Sequence, residues 1–359
     1  MSLRKRIFCL SCILITTVVV LKVFLHERSE IKQRLDSSTS PERSETKQRL
    51  DSSTPPEQVS SHNFDVACSS SLVLNPPYPD VLNLTARAKV WENNARALLD
   101  CPELSLMAKQ VNSFPFLHRI WECAEVPEVY ASSVESWNEN LENAYVFLWT
   151  EDLRQKYVSQ RLGSNATSYY KRLVPGAYRA DLFKYVIMYF VGGIYSDLDS
   201  TLKQKLSALN LLKSGTTLSI DLHGPRLLPG AIMISSPGNP IFKCAIGEVL
   251  DHSAKRVYFE HGSDLDISGP GVLGECLRHI MGQDDLDFRT SVQQLESEGY
   301  RLLKSLMVNG THTIELRDSS TLISLQRGGK TYDKALRPEC EAGEHYSSLY
   351  AKKQIYLED

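Results

Sequence analysis

The sequence lacks an excess of charge of either sign. Forty Lys and Arg stand against 43 Asp and Glu, a formal net charge of −3, so neither the balance nor the 23% charged content points to a nucleic-acid partner. Beyond the N-terminal region no two cysteines have C-x-x-C spacing, which argues against a zinc ribbon or a thioredoxin-type site. Residues 26–63 contain no aromatic residue at all, so that stretch cannot bury enough apolar surface to offset its ordering entropy.

What is there begins at the N-terminus. Arg4-Lys5-Arg6 precedes "IFCLSCILITTVVVLKVFL", Ile7 to Leu25, whose only charge is Lys22 near its far end. About 20 helical residues cross a bilayer core of roughly 30 Å, and a lysine near the edge can snorkel. A cleaved signal peptide shares the basic start and the apolar run, but "VFLHERSE" after it offers no small-x-small cleavage pattern. The basic cluster in front then places the N-terminus in the cytoplasm and everything after Leu25 across the membrane. Sequons at Asn83, Asn165 and Asn309 all fall on that far side. Cys9 and Cys12 lie in the apolar run; Cys68, Cys101, Cys123, Cys244, Cys276 and Cys340 form an even set in an oxidising compartment, with pairings open.

The expected organisation is a cytoplasmic tail at 1–6, a signal anchor at 7–25, a stem at 26–63 and a folded domain at 64–359. Within the stem, "ERSEIKQRLDSSTSP" (Glu27 to Pro41) recurs as "ERSETKQRLDSSTPP" (Glu42 to Pro56); two polar units do not make a solenoid. In the domain, "LTARAKVWENNARALLDC" has helical apolar spacing and "FPFLHRIWEC" a short strand. "NAYVFLWTEDLRQKYV" reads as a strand, Tyr145 to Trp149, then a helix capped by Thr150 with Glu151 and Asp152 in its first turn. This alternation predicts an α/β fold with a mainly parallel sheet.

"YRADLFKYVIMYF", Tyr178 to Phe190, predicts one helix with Leu182, Tyr185, Val186 and Tyr189 on an apolar stripe and Asp181 and Lys184 sharing another face. Gly192-Gly193 stops it. "IYSDLDS" then reads as a strand with Ile194, Ser196 and Leu198 on one side and Tyr195, Asp197 and Asp199 on the other. The triplet Asp-Leu-Asp occurs three times, at Asp197, Asp264 and Asp285. Only the first has a strand scaffold that lets two carboxylates converge on one cation, backed by Ile and Leu. The other two read as solvated loop carboxylates.

The segment "YRADLFKYVIMYFVGGIYSDLDS" resembles the sugar-binding segment of retaining glycosyltransferases of family 32, and "FPFLHRIW", "YVFLWTEDLR", "IMISSPGNPIF", "SGPGVLGECL" and "EHYSSLY" extend the likeness from Phe114 to the C-terminus. The resemblance implies a GT-A fold, Rossmann-like, binding a nucleotide sugar with a divalent cation, usually Mn²⁺, between Asp-x-Asp and the diphosphate. It implies Asp199 as direct metal ligand, Asp197 on metal or ribose, and His345 near the diphosphate and metal. Asp181 corresponds to the acid that binds donor-sugar hydroxyls, with Lys184 standing where an arginine is more usual. Tyr195 falls among the donor-binding residues, Arg179 pairs with Asp181 or meets the diphosphate, and Trp121 stacks on the base. Core or surface roles compete for Trp121, Arg179 and His345. Pro229-Gly230-Ala231 replaces a stretch where an asparagine is common.

The expected function is a type II Golgi hexosyltransferase using GDP-mannose in preference to a UDP-sugar, with a glycan or glycolipid acceptor; within the family the α-1,6-mannosyltransferase-like branch looks nearest. UDP-galactose or UDP-N-acetylglucosamine transfer, mannosylation of inositol phosphorylceramide, and a non-catalytic sugar-nucleotide-binding protein are the alternatives. A soluble secreted hydrolase using two carboxylates is the weakest alternative, because acids two apart on one strand cannot flank a glycosidic bond from opposite sides.

Overall fold

The computed structural model describes residues 72–73, 84–101, 104, 116–123, 125–141, 143–206, 211, 215–222, 224, 226–260, 262–308, 311–317, 321–327 and 344–358. The chain divides at Ser61/His62, and the architecture below belongs to the second unit, His62–Asp359. The anchor at 7–25, the stem at 26–63, the sequons at Asn83 and Asn309, and Cys9, Cys12, Cys68 and Cys340 lie outside the described residues. Among the described residues no helix is long and apolar enough to cross a membrane.

Helices α1 (Leu84–Asp100), α2 (Ala131–Asn140), α3 (Glu151–Arg172), α4 (Gly176–Phe190), α5 (Pro240–Lys255), α6 (Pro270–Met281), α7 (Val292–Ser297) and α8 (Tyr346–Ala351) surround a sheet. Its strands are β1 (Phe116–Ile120), β2 (Tyr145–Trp149), β3 (Gly193–Ser196), β4 (Ser200–Leu202), β5 (Thr216–Asp221), β6 (Ile232–Ser235), β7 (Tyr300–Val308), β8 (Thr311–Leu316) and β9 (Leu322–Arg327). They run in the order β2-β1-β3-β6-β5-β7-β8-β9-β4. Only β1 with β2, β1 with β3, and β5 with β7 pair in parallel; the other neighbours are antiparallel. The α/β class is correct, but the sheet is mixed rather than mainly parallel. The returns from β5 to β6, β7 to β8 and β8 to β9 are short and reverse strand direction, while helices α5 to α7 lie between β6 and β7.

The order also forces the sheet to curl. Strands β3 and β4 are third and ninth, yet only residues 197–199 join them. Six strand spacings of roughly 4.8 Å would separate them by about 29 Å in a flat sheet, and four peptide steps reach at most about 14 Å. The Asp-x-Asp triplet is the link that closes this curl.

Each face of the sheet has its own core. Phe116, Phe147, Trp149, Tyr195 and Met233 point into one, with Tyr157, Phe183 and Phe242 from the helices. Leu117, Val146, Leu148, Ile194 and Ile232 point into the other, with Trp91 and Trp137. This is why β1 and β2 read as continuous apolar runs: both faces are covered. Helix α4 departs from the single-stripe expectation. Leu182, Phe183, Tyr185, Val186, Ile187 and Met188 are all buried and so is Lys184, whereas Tyr189 is only half-buried. It is a central helix, wrapped by α3, α5 and β3.

Thr150 occupies the N-cap of α3, as expected, but its side chain makes no capping bond. Glu151 carries the charge there differently. Its Oε2 accepts from Arg154 Nη2 (2.6 Å) and Tyr170 Oη (3.0 Å), and its Oε1 pairs with Arg179 Nε at 3.0 Å. Gly163 (φ 81°) breaks α3 and leaves the sequon residue Asn165 exposed just beyond the kink. Cys244 and Cys276 are bonded, joining α5 to α6, and Cys101 and Cys123 are also in disulfides.

Candidate functional site

The site is built from the end of α4 outward. Gly192 (φ 70°) and Gly193 (φ 91°) turn the chain from α4 into β3 in a conformation that side chains resist, and they also permit close packing. A Cβ on Gly192 would lie 2.6 Å from Pro237 N and Ser235 O, and one on Gly193 2.6 Å from Phe116 O. The turn is fixed by His118, whose Nε2 lies 3.0 Å from Gly192 O while its Nδ1 accepts from Trp149 Nε1 at 3.2 Å. An indole N–H can only donate, so Nδ1 is the acceptor and Nε2 carries the proton. Burial holds this imidazole neutral, its pKa down at about 3 despite the opposing bond to Gly192.

Strand β3 ends at Ser196, so Asp197 and Asp199 do not alternate along a strand as expected. They sit in the tight turn that follows, closed by Ser200 N donating to Asp197 O at 3.1 Å. Ile194 and Leu198 are buried behind it, the backing the sequence led us to expect, and both aspartates are part-exposed. Asp197 N donates to Ala231 O (3.0 Å), and Tyr195 Oη donates to Asp197 Oδ1 at 2.6 Å. Tyr195 is thus a holder of Asp197, its hydroxyl pKa pushed well up by burial and then by that carboxylate.

Asp181 and Lys184 complete the cluster. One turn apart on α4, they meet at 2.6 Å between Asp181 Oδ1 and Lys184 Nζ. The other Asp181 oxygen accepts from Ser268 Oγ (3.0 Å), and the Lys184 ammonium stands 5.4 Å above the Tyr195 ring. Lys184 is only 8% exposed. Burial disfavours its charge, but Asp181 and Asp197 outweigh burial and hold its pKa above the ordinary lysine value. Gly230 matters here: a Cβ at that position would lie 2.9 Å from Lys184 Nζ. The residue that replaces the more usual asparagine stretch is therefore what makes room for the ammonium.

The remaining candidates divide. Trp121, just past β1, is half-buried at the rim of the second core, its Nε1 donating to Glu125 O (3.1 Å) and its ring edge-on to Tyr130 at 5.2 Å. Arg179 does not pair with Asp181. Its guanidinium is turned to Glu151 and to the carbonyls of Leu173 (2.6 Å) and Val174 (2.8 Å) that end α3. Two residues apart on a helix, Arg179 and Asp181 face some 200° away from each other, which is why closeness in sequence misleads. His345 is exposed and caps α8, its Nδ1 accepting from Ser347 N at 3.3 Å and its ring stacked on Tyr346 at 4.3 Å. Among the described residues no group of three His, Cys, Asp or Glu side chains is arranged to hold a metal ion. Two part-exposed carboxylates offering only oxygen fit a hard divalent cation whose other positions come from phosphate and water.

Two features were not foreseen. Arg119, 1% exposed on β1, lies behind the turn, its Nη1 3.4 Å from Asp197 O and 3.5 Å from Leu198 O. Burial lowers its pKa to about 10, opposed by Tyr195, Asp197 and Asp199. The second Asp-Leu-Asp is also not a solvated loop. Asp264–Asp266 forms a 3-10 turn capped by Ser263, and Asp264 bonds Ser347 on α8, whose Tyr346 ring is 5.8 Å from Tyr178 on α4. Asp287, in the third, is tied to Arg289 by both oxygens.

Comparison with known proteins places this geometry. Residues 127–217, spanning α2 to the start of β5 and holding Asp181, Lys184, Tyr195, Asp197 and Asp199, match the family model "Glycosyltransferase sugar-binding region containing DXD motif". Inositol phosphoceramide mannosyltransferase 2 of Schizosaccharomyces pombe is 24% identical over 43% of this chain and 43% of its own length. Mannosyl phosphorylinositol ceramide synthase CSH1 of Saccharomyces cerevisiae is 25% identical over 52% of this chain and 48% of its own. The chain thus spans about half the length of the curated relatives it matches. The solved PaToxG glycosyltransferase superposes with a TM-score of 0.38 and 16% identity, over 59% of this chain and 86% of that one. Through its DXD-containing sugar-binding region, the chain is similar to the family 32-like glycosyltransferases.

Proposed function

We propose that the protein is a type II Golgi membrane hexosyltransferase that moves mannose from GDP-mannose to a glycan or glycolipid acceptor, in a GT-A catalytic domain and with retention of configuration. The observation that carries this reading is the linked set Asp181, Lys184, Tyr195 and Asp197, beside Asp199, inside the sugar-binding region. The names of both curated relatives refer to mannose and ceramide, which supports the mannosyl donor and favours a phosphoinositol-ceramide acceptor over a protein-linked glycan.

Asp197 and Asp199 are the residues that would hold a divalent cation, Mn²⁺ by expectation, and its chemistry is to neutralise the diphosphate charge that grows as the sugar–phosphate bond breaks. Tyr195 fixes the Asp197 carboxylate for that purpose. Asp181, its one oxygen bound by Lys184 and the other by Ser268, is held ready to accept from sugar hydroxyls, and the Lys184 ammonium adds positive charge beside the leaving group. The half-exposed Trp121 ring offers a surface for the base. The departing diphosphate takes the acceptor proton.

The test is nucleoside diphosphate release by the full-length protein in detergent, from GDP-mannose and from UDP-sugars, with and without Mn²⁺, beside Asp199→Ala. Cation-dependent release from GDP-mannose that the variant loses is the expected result. Turnover of a UDP-sugar alone would refute the mannosyl donor, and release insensitive to both Mn²⁺ and the variant would refute the metal site. Adding inositol phosphorylceramide or a mannose oligosaccharide as acceptor separates the two acceptor classes.

A further inference from the structure

Helix α2 has a face that core packing alone does not explain. Ser133, Ser136, Trp137 and Asn140 fall at i, i+3, i+4 and i+7, a single helix face, and the first three are buried. A face so placed is ordinarily apolar. Here each member reaches the main chain of the Asp-x-Asp turn or of β4. Ser133 Oγ donates to Leu198 O at 2.7 Å and Trp137 Nε1 to Ser200 O at 2.7 Å. Ser136 Oγ accepts from Leu202 N (2.9 Å), and Asn140 Nδ2 lies 3.4 Å from Leu202 O.

The register explains how one helix can do this. Residues 133, 137 and 140 are spaced by roughly one helical turn of about 5.4 Å; Ser200 and Leu202 are two residues of extended chain apart, about 6.6 Å, with Leu198 in the turn just before them. Among the described residues, strand β4 stands last in the sheet and pairs with β9 alone, toward which Lys203 N donates to Ile323 O at 2.7 Å. Its other edge, where Ser200 and Leu202 present their groups, would be left open. Helix α2 supplies there the bonds that a further strand would have made. From β1, Arg119 reaches the carbonyls of Asp197 and Leu198 while its guanidinium lies 5.2 Å from the centre of the Trp137 ring.

We infer that helix α2 is the positioning element of the Asp-x-Asp turn: Ser133, Ser136 and Trp137 hold Asp197 and Asp199 at the separation a shared cation needs. This rests on the metal–nucleotide reading of the site proposed above. Loosening the helix face weakens cation binding before it weakens the fold, because β9, β1 and the buried Ile194 and Leu198 still anchor the segment.

The experiment uses the full-length protein in detergent with Ser136→Ala and Trp137→Phe, the second keeping an aromatic ring beneath Arg119. Hydrogen exchange of the 198–203 peptide is followed together with Mn²⁺ affinity in the presence of GDP, the Mn²⁺ dependence of turnover, and Tm. Losing one such bond should raise the half-saturating Mn²⁺ concentration ~3- to 10-fold. Exchange at Leu202 should quicken, and the rate should recover at saturating Mn²⁺. Faster exchange with unchanged Mn²⁺ affinity would make the face purely structural and overturn the inference, as would unchanged exchange. If the wild-type protein itself binds no Mn²⁺ with GDP or UDP, the functional reading fails and takes this inference with it; a wild type that binds and variants that match it sink the inference alone.

Discussion

Acid should weaken this fold through one residue. His118 is fully buried with both ring nitrogens committed, and protonation would turn Nδ1 into a donor facing the Trp149 N–H. Its pKa falls from 6.5 to about 3 on folding. The unfolded chain therefore takes up the proton first as pH drops below 6.5, and by linkage the stability contribution is complete above that pH and is lost progressively down to about 3. Between pH 7.5 and 5.5 the loss works out at about 1.4 kcal/mol, and by pH 4.5 at about 2.7 kcal/mol. The first figure depends only on the folded pKa lying well below 5.5. His118→Gln removes the titration while keeping an amide donor for Gly192 O; it leaves the Trp149 N–H without its acceptor, at a cost of about 1–3 kcal/mol. Urea unfolding of both proteins at the two pH values, disulfides intact, measures the difference. The variant should be less stable overall but lose about 1.4 kcal/mol less between pH 7.5 and 5.5. An identical pH loss in both proteins would refute the assignment of His118 as the buried neutral imidazole.

Lys184→Met leaves the half-buried Asp181 without its cation; a destabilisation of about 1–3 kcal/mol by chemical denaturation is expected, together with loss of donor turnover. Gly230→Ala pushes against the Lys184 ammonium, the far end of a flexible side chain, so Tm should barely move while kcat/KM for the donor falls ~10-fold, about 1.4 kcal/mol. Equal activity in that variant would show that the ammonium position is immaterial. Opening Cys244–Cys276, 32 residues apart, by paired substitution to Ala should cost about 3.5 kcal/mol in the same unfolding assay, because α5 and α6 are then joined only by packing.

The sequence by itself determined helix α4, the glycine turn after it, β1, β2 and the backing of Ile194 and Leu198 behind the Asp-x-Asp. Each is a local matter: a run of apolar residues at helical spacing, two glycines where φ is positive, and strands whose bounds are written in their composition. The first Asp-Leu-Asp does follow a strand, as its sequence suggested, but its two acids sit past that strand in the closing turn.

Tertiary structure decided the rest. Strand direction after β3 follows from how the chain returns, which no periodicity records, and so a sheet expected to be parallel is mixed. Arg179, two residues before Asp181, is drawn to Glu151 and a helix end, because a helical step of two residues turns a side chain by about 200°. Lys184 could be read as a departure from a family pattern, but not as a buried ammonium whose space depends on a glycine 46 positions away. Ser133, Ser136 and Trp137 look like ordinary residues of a polar helix. Only the curl that brings β4 to the end of β3, with one bare edge turned toward α2, makes them holders of the site. Local physics fixes which residues form an element; which carbonyl a side chain finds is settled by long-range packing.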